Sequence, residues 1–175
     1  MIRFCSLIAL LNAVVFHMDG QSVDSLFISA AAKKLNSSRE YTLKIAGLMP
    51  AADFGLRPSA DQMTFAQQLL HLSANLGWLS SSYLKEEESP FLRSHMKLQD
   101  KDSIVILINM VYDYAVDALL QFPTDQLKDS VSFFAGPMTK VQIINLINDH
   151  QSHHRGQLIV YLRMNGIKPP PYVGW

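Results

Sequence analysis

Near the end of the chain, His150, His153 and His154 crowd into five residues, in the run His-Gln-Ser-His-His-Arg-Gly-Gln. Three imidazoles in so short a span are too dense for ordinary surface composition, and the surrounding stretch has the apolar spacing of a helix. On a helix, His150 and His154 stand one turn apart and face the same way. Two neutral imidazoles at that spacing can hold one divalent metal, as in helical His-x-x-x-His zinc sites. At about 100° per residue, Gln157 and Tyr161 fall within about 20° of His150, His154 lies at about 40° and His153 at about −60°. His150 with His154 is the better chelating pair, and His150 with His153 stays open. His153, Gln157 and Tyr161 are placed either to steady the ligands or to face a substrate.

Such a chelate needs a third ligand from elsewhere in the fold. The best donor is His71, flanked by Leu69, Leu70 and Leu72 on an apolar helical stripe. Bundles build metal sites from side chains on facing helices. Three histidines leave a position open for water or substrate, which distinguishes a catalytic from a structural zinc site. Arg155 could pair with a substrate carboxylate or with an acid on a neighbouring helix. Gly156 costs about 1 kcal/mol against alanine in mid-helix, so it implies close approach by a neighbouring helix or a substrate.

The elements that must position these residues are helical. A first helix runs roughly from Val23 to Leu48, with Leu26, Ala30, Leu35, Leu43, Ile45 and Leu48 among its apolar positions, and Met49-Pro50 ends it. Pro50 to Gln62 reads as a loop. Thr64 with Gln67 forms a capping box, and Phe65, Leu69, Leu72, Leu76 and Leu79 pattern a second helix that fades by Leu84. Residues 91–101 read as a mobile connection in which His95 is solvated. The third helix spans about Asp102 to Gln121, capped by Asp102 or Ser103. Residues 133–137 are a short connection. The last helix runs from about Thr139 to Asn165. Gly166 caps it and Pro169-Pro170-Pro171 forbids continuation. Four long amphipathic helices joined by loops make an all-α, four-helix bundle.

The N-terminus differs in kind. Met1-Ile2-Arg3 precedes an almost wholly apolar run from Phe4 to Phe16, then a polar stretch. This is the pattern of a secretory signal peptide, with cleavage after Gly20. The run falls short of the roughly 20 residues of a membrane span. We therefore expect residues 1–20 to be removed, an exported (periplasmic or extracellular) chain, and a domain of residues 21–175 without a stable membrane span. A cytoplasmic chain is the alternative. The sole cysteine, Cys5, lies in the segment removed, as does His17. The mature chain would then have neither a disulfide nor a thiol nucleophile. Fifteen basic residues balance 15 acidic ones with no basic run, which argues against nucleic acid as a partner.

Two segments resemble the DinB-like (DinB/YfiT-like) superfamily. One is Gly55-Leu56-Arg57-Pro58 followed by Met63-Thr64-Phe65-Ala66-Gln67-Gln68-Leu69-Leu70-His71-Leu72. The other is His150 to Gln157, then Tyr161-Leu162-Arg163-Met164-Asn165-Gly166 and Pro169-Pro170-Pro171-Tyr172. The likeness covers about residues 23–175. It implies a four-helix bundle, often a homodimer, with one divalent metal, zinc or nickel foremost, on His71, His150 and His154. It further implies a metal-dependent enzyme acting on a small molecule. Characterised relatives are thiol-dependent S-transferases and isomerases. The alternative is a non-catalytic, metal-stabilised binding or interaction domain.

Overall fold

A computed structural model describes residues 22–175. The signal-peptide segment, with Cys5 and His17, lies outside the described residues. Four long helices make the fold: α1 (Val23–Leu48), α2 (Phe65–Ser80), α3 (Lys101–Leu120) and α4 (Lys140–Met164). α1 and α2 each pack against both α3 and α4, so they sit diagonally across the bundle. The expected all-α architecture is present, and a two-residue antiparallel hairpin, β1 (Ser130–Val131) with β2 (Met138–Thr139), precedes α4.

Local chemistry sets most boundaries. The Thr64 hydroxyl accepts from the Gln67 N–H at 3.1 Å, and the Gln67 side chain accepts from the Thr64 N–H at 2.8 Å, so both ends of the capping box close. α2 then widens into a π-helical turn, Ser81–Lys85, ended by Glu86 at φ 56°. At the other end of α4, Gly166 adopts φ 70°. The Ile167 N–H reaches back to the Leu162 carbonyl at 2.8 Å, closing the helix in the manner that favours glycine. Lys101 donates to the Gly47 and Met49 carbonyls, each at 2.8 Å, and so covers the C-terminus of α1.

Three expectations are corrected. α3 is capped by Asp100, whose carboxylate accepts from the Ser103 N–H at 2.8 Å, rather than by Asp102 or Ser103. Residues 91–101 include a 3₁₀ turn, Arg93–Lys97, in which His95 is half-buried. Its Nδ1 accepts from the Leu92 N–H at 3.1 Å and its ring meets Phe91 edge-on, so it is not simply solvated. On α1, Leu26 and Leu48 are exposed, and the buried seam is Ile28, Ala31, Ala32, Leu35, Ser38, Thr42 and Ile45. Ser38 and Thr42 disguise that seam in the sequence. Both hydroxyls lie within hydrogen-bond reach of the fully buried Tyr112 hydroxyl, at 3.3 and 3.4 Å.

α3 is long and apolar enough to cross a membrane. Ile104, Ile108, Val111, Tyr112 and Leu119 are instead fully buried in the bundle core.

Candidate metal centre

The polar network that begins on α1 ends beside the histidines. Tyr112 donates to Gln151 Oε1 at 2.8 Å, and Gln151 Nε2 donates to the Leu72 carbonyl at 3.1 Å. Gln151 follows His150 in sequence and Leu72 follows His71. One buried amide therefore ties α4 to α2 at the level where their histidines meet, and its partners are all inside the core, where an unmade hydrogen bond is costly.

The result is a tight cluster. His71 from α2 and His150 and His154 from α4 each offer a ring nitrogen, and these three nitrogens lie within 4.8 Å of one another. The ring centroids are 4.4 Å apart for His71–His154 and His150–His154, and 5.1 Å for His71–His150. All three side chains are half-buried. Burial pushes the His71 pKa down, with the nearby His153 adding to it. Burial, then His71 and His153, lowers His150 to about 4. Burial, then its three histidine neighbours, lowers His154 to about 4. At neutral pH the cluster is thus a set of neutral imidazoles, the form that binds a metal.

Whether these residues fit a cation is tested by their hydrogen bonds. His150 Nδ1 is buried and has no partner among the described residues. His154 Nδ1 lies 2.8 Å from Gln68 Oε1, an acceptor that fixes the tautomer with the proton on Nδ1 and leaves Nε2 free. An unpartnered nitrogen, an oriented neighbour and a third imidazole opposite make a donor set suited to a divalent metal.

The remaining expected residues fall into place around it. His153 is exposed, and its ring stands 4.8 Å from that of His154. The geometry brings His154, not His153, into the cluster with His71 and His150. Gln157 accepts from Gln68 Nε2 at 2.5 Å, and its own Nε2 is 2.9 Å from His153 Nε2. It therefore links His153 to the residue that orients His154. Tyr161 is buried, packs on Phe65 and donates to the Met63 carbonyl at 2.5 Å, at the entry to α2. An open groove of about 470 Å³, lined by Leu146, Asp149, His150, Ser152 and His153, runs beside the centre.

Sequence reasoning missed Gln68 and Gln151. Both are almost fully buried. The available signal was a polar residue on an apolar stripe: Gln68 sits between Phe65 and Leu72 on the inward face of α2. Of the two readings of Gly156, only close approach by a neighbouring helix is corrected. A Cβ there would meet nothing within 4 Å, so no helix approaches it. Arg155 pairs with no acid on a neighbouring helix among the described residues, where the pairs are Arg39–Asp113, Lys85–Asp117 and Lys140–Glu86.

Comparison with known proteins bears on the whole of this bundle. The family model of the DinB family matches residues 23–174. The uncharacterised protein YjoA of Bacillus subtilis (strain 168) is 22% identical over 139 residues, which is 78% of this chain and 89% of that protein. The crystal structure of the same DinB-like protein superposes with a TM-score of 0.68 at 20% identity, covering 82% of this chain and 96% of YjoA. A DinB-like protein from Bacillus cereus ATCC 10987 superposes with a TM-score of 0.73 at 19% identity, covering 83% and 97% of the two chains. At those identities the solved structures speak for the bundle, while the family match extends over nearly all of residues 22–175 and takes in every histidine of the cluster. This chain belongs to the DinB family.

Proposed function

We propose that this chain is a divalent-metal-dependent enzyme acting on a small molecule by hydrolysis or thiol S-transfer, with His71, His150 and His154 holding one zinc or nickel ion. The observation that carries this reading is the convergence of three neutral imidazoles from two helices, one with a buried and unpartnered nitrogen. A metal on three neutral ligands keeps its charge and lowers the pKa of a water or thiol it binds, supplying a nucleophile near neutral pH. The chain's own contribution is orientation and access. Gln68 holds the His154 ring in one tautomer. His153, exposed beside the open groove, has a ring nitrogen in reach of solvent and of Gln157, where it can take up or release a proton. The groove supports turnover rather than a purely structural ion, because a closed, filled site would leave a substrate no way in.

We further propose that the chain is exported after loss of residues 1–20 and pairs as a homodimer. The mature N-terminus by mass spectrometry and the mass in sedimentation equilibrium check these two points.

The test of the main proposal is elemental analysis of the wild type beside His71→Ala and His150→Ala, followed by assays of the loaded protein. We expect about one equivalent of metal in the wild type, by the three-ligand arrangement of such sites, and its loss in both variants. The loaded wild type is then offered an activated ester, and separately a small thiol with an electrophile. Metal retained in full by His71→Ala would remove that residue from the site. A tightly held metal with no exchangeable water and no turnover in either assay would replace the enzyme with a metal-stabilised binding domain.

A further inference from the structure

On another flank of α4 lies a second polar cluster, which meets the network behind the metal centre only at Ser38. Arg155 is only 8% exposed. Its guanidinium donates to Ser38 Oγ and, at 3.3 Å, to Ser152 Oγ, and stacks 5.4 Å from the centre of the Tyr41 ring. These are neutral partners. No carboxylate pairs with it among the described residues. A buried cation without a counter-ion is an expensive arrangement.

This cation faces a cavity of about 420 Å³ between α1, α4 and the C-terminal tail, and no acidic residue lines it. Lys34 supplies a second cation at the rim, 5.3 Å from the centre of the Trp175 ring. The tail is held over the opening by Tyr41, whose hydroxyl donates to the Pro170 carbonyl at 3.4 Å. Tyr172 and Trp175 complete an aromatic wall. Asp149 lies in the adjoining groove, which shares Lys34 and Trp175, so the strongest anion preference is at the Arg155 end.

We infer that this cavity is a second binding site, for a small aromatic carboxylate. The carboxylate pairs with Arg155 and Lys34, and the ring lies among Tyr41, Tyr172 and Trp175. Arginine's planar fork suits a carboxylate, and its remaining donors are not consumed by the two serines. The volume falls within the range of small-molecule pockets, which combine apolar walls with a few fixed polar groups.

The experiment is calorimetric titration of the full chain with benzoate, benzyl alcohol and inorganic phosphate. We expect one saturable benzoate site per chain and no comparable benzyl alcohol binding. Arg155→Gln should weaken benzoate by about tenfold or more, the usual scale of a charge-assisted hydrogen bond. Because that variant removes a buried residue, Gly156→Leu provides an independent arm. A side chain there grows into open space at the cavity wall, so it should abolish binding while the fold and melting temperature are kept. His71→Ala should bind benzoate as the wild type does. No saturable binding, equal binding of benzyl alcohol, or wild-type affinity in Gly156→Leu would each overturn the site. Loss of benzoate in His71→Ala would assign it to the metal centre instead. Binding of phosphate in preference to benzoate would overturn the aromatic half of the assignment.

Discussion

His154 and Arg155 are neighbours in sequence, about 100° apart around α4, and each belongs to a polar cluster of its own. Toward α2, burial keeps three imidazoles neutral and brings their ring nitrogens together, so that cluster suits a cation. Toward α1, an arginine is buried among hydroxyls and aromatic rings, so that cluster suits an anion. The two are separated by the helix itself and by Gln151, whose amide joins the Tyr112 hydroxyl to the Leu72 carbonyl. A single helix can thus serve two sites of opposite charge demand, provided a satisfied polar network stands between them and fixes the register of both.

The sharpest way to break that arrangement is to remove the divider. In Gln151→Leu the Tyr112 hydroxyl loses its 2.8 Å acceptor, keeping Ser38 and Thr42 at 3.3 and 3.4 Å, and the Leu72 carbonyl, inside α2, loses its side-chain donor. An intramolecular hydrogen bond contributes about 0.5–1.5 kcal/mol net, so we expect the loss of these two to cost about 2 kcal/mol in urea unfolding. Metal affinity and benzoate affinity should both fall. A loss below about 0.5 kcal/mol, within the range of ordinary surface changes, would mean that the network does not set the register. Gln68→Leu should separate the two clusters. It removes the acceptor that orients His154, and such outer partners are worth 10- to 100-fold in metal affinity. Benzoate binding should be unchanged. Equal effects on both ligands would show that the clusters are coupled.

The two clusters also differ in how far the sequence revealed them. His150 and His154 could be paired from spacing alone, because four residues make one turn whatever surrounds them. His71 could be nominated as a histidine on an apolar stripe. The fold followed from helical periodicity, the Thr64 cap and the Gly166 stop. Arg155 could not be read in this way. A helical arginine is usually solvated, and its burial depends on Ser38 and Tyr41 from a helix more than a hundred residues earlier and on the tail beyond it. Ser38 and Thr42 also hid the buried face of α1, since polar residues that satisfy each other in the core look like surface in a sequence. The hairpin before α4 was beyond reach because its strands have only two residues each, too few for an alternation to appear.

Acid should distinguish the clusters without mutation. In the metal-free folded chain His150 and His154 titrate at about 4, below the ordinary histidine value of 6.5. As the pH falls from about 6.5, the unfolded chain takes up protons that the folded cluster declines, so stability declines with it. The decline ends near pH 4, where the folded histidines also protonate. Unfolding of metal-free protein at fixed urea across this window measures it. The effect should be smaller than that of Gln151→Leu, since the imidazoles are only half-buried and solvent screens them. The variant His150→Ala should flatten the slope, whereas Arg155→Gln should leave it in place. A slope that survives loss of His150 unchanged would place the acid sensitivity elsewhere.

The smallest expected effect concerns Gly156, which lies on the boundary between the clusters. It is exposed in mid-helix, and a Cβ would touch nothing. Gly156→Ala should therefore stabilise the fold by up to about 1 kcal/mol, through the lower backbone entropy of alanine in a helix. Metal affinity should not move, because the change points away from the histidines. One methyl group is also too small to fill a cavity of about 420 Å³, so benzoate binding should weaken little compared with Gly156→Leu. Thermal unfolding and the two titrations on this variant then separate helix propensity from occupancy. A gain in stability with benzoate binding kept would assign the glycine to access for larger ligands. A loss of stability would mean that the backbone at this position is held in a shape alanine cannot share, and that the open space beside it is not free.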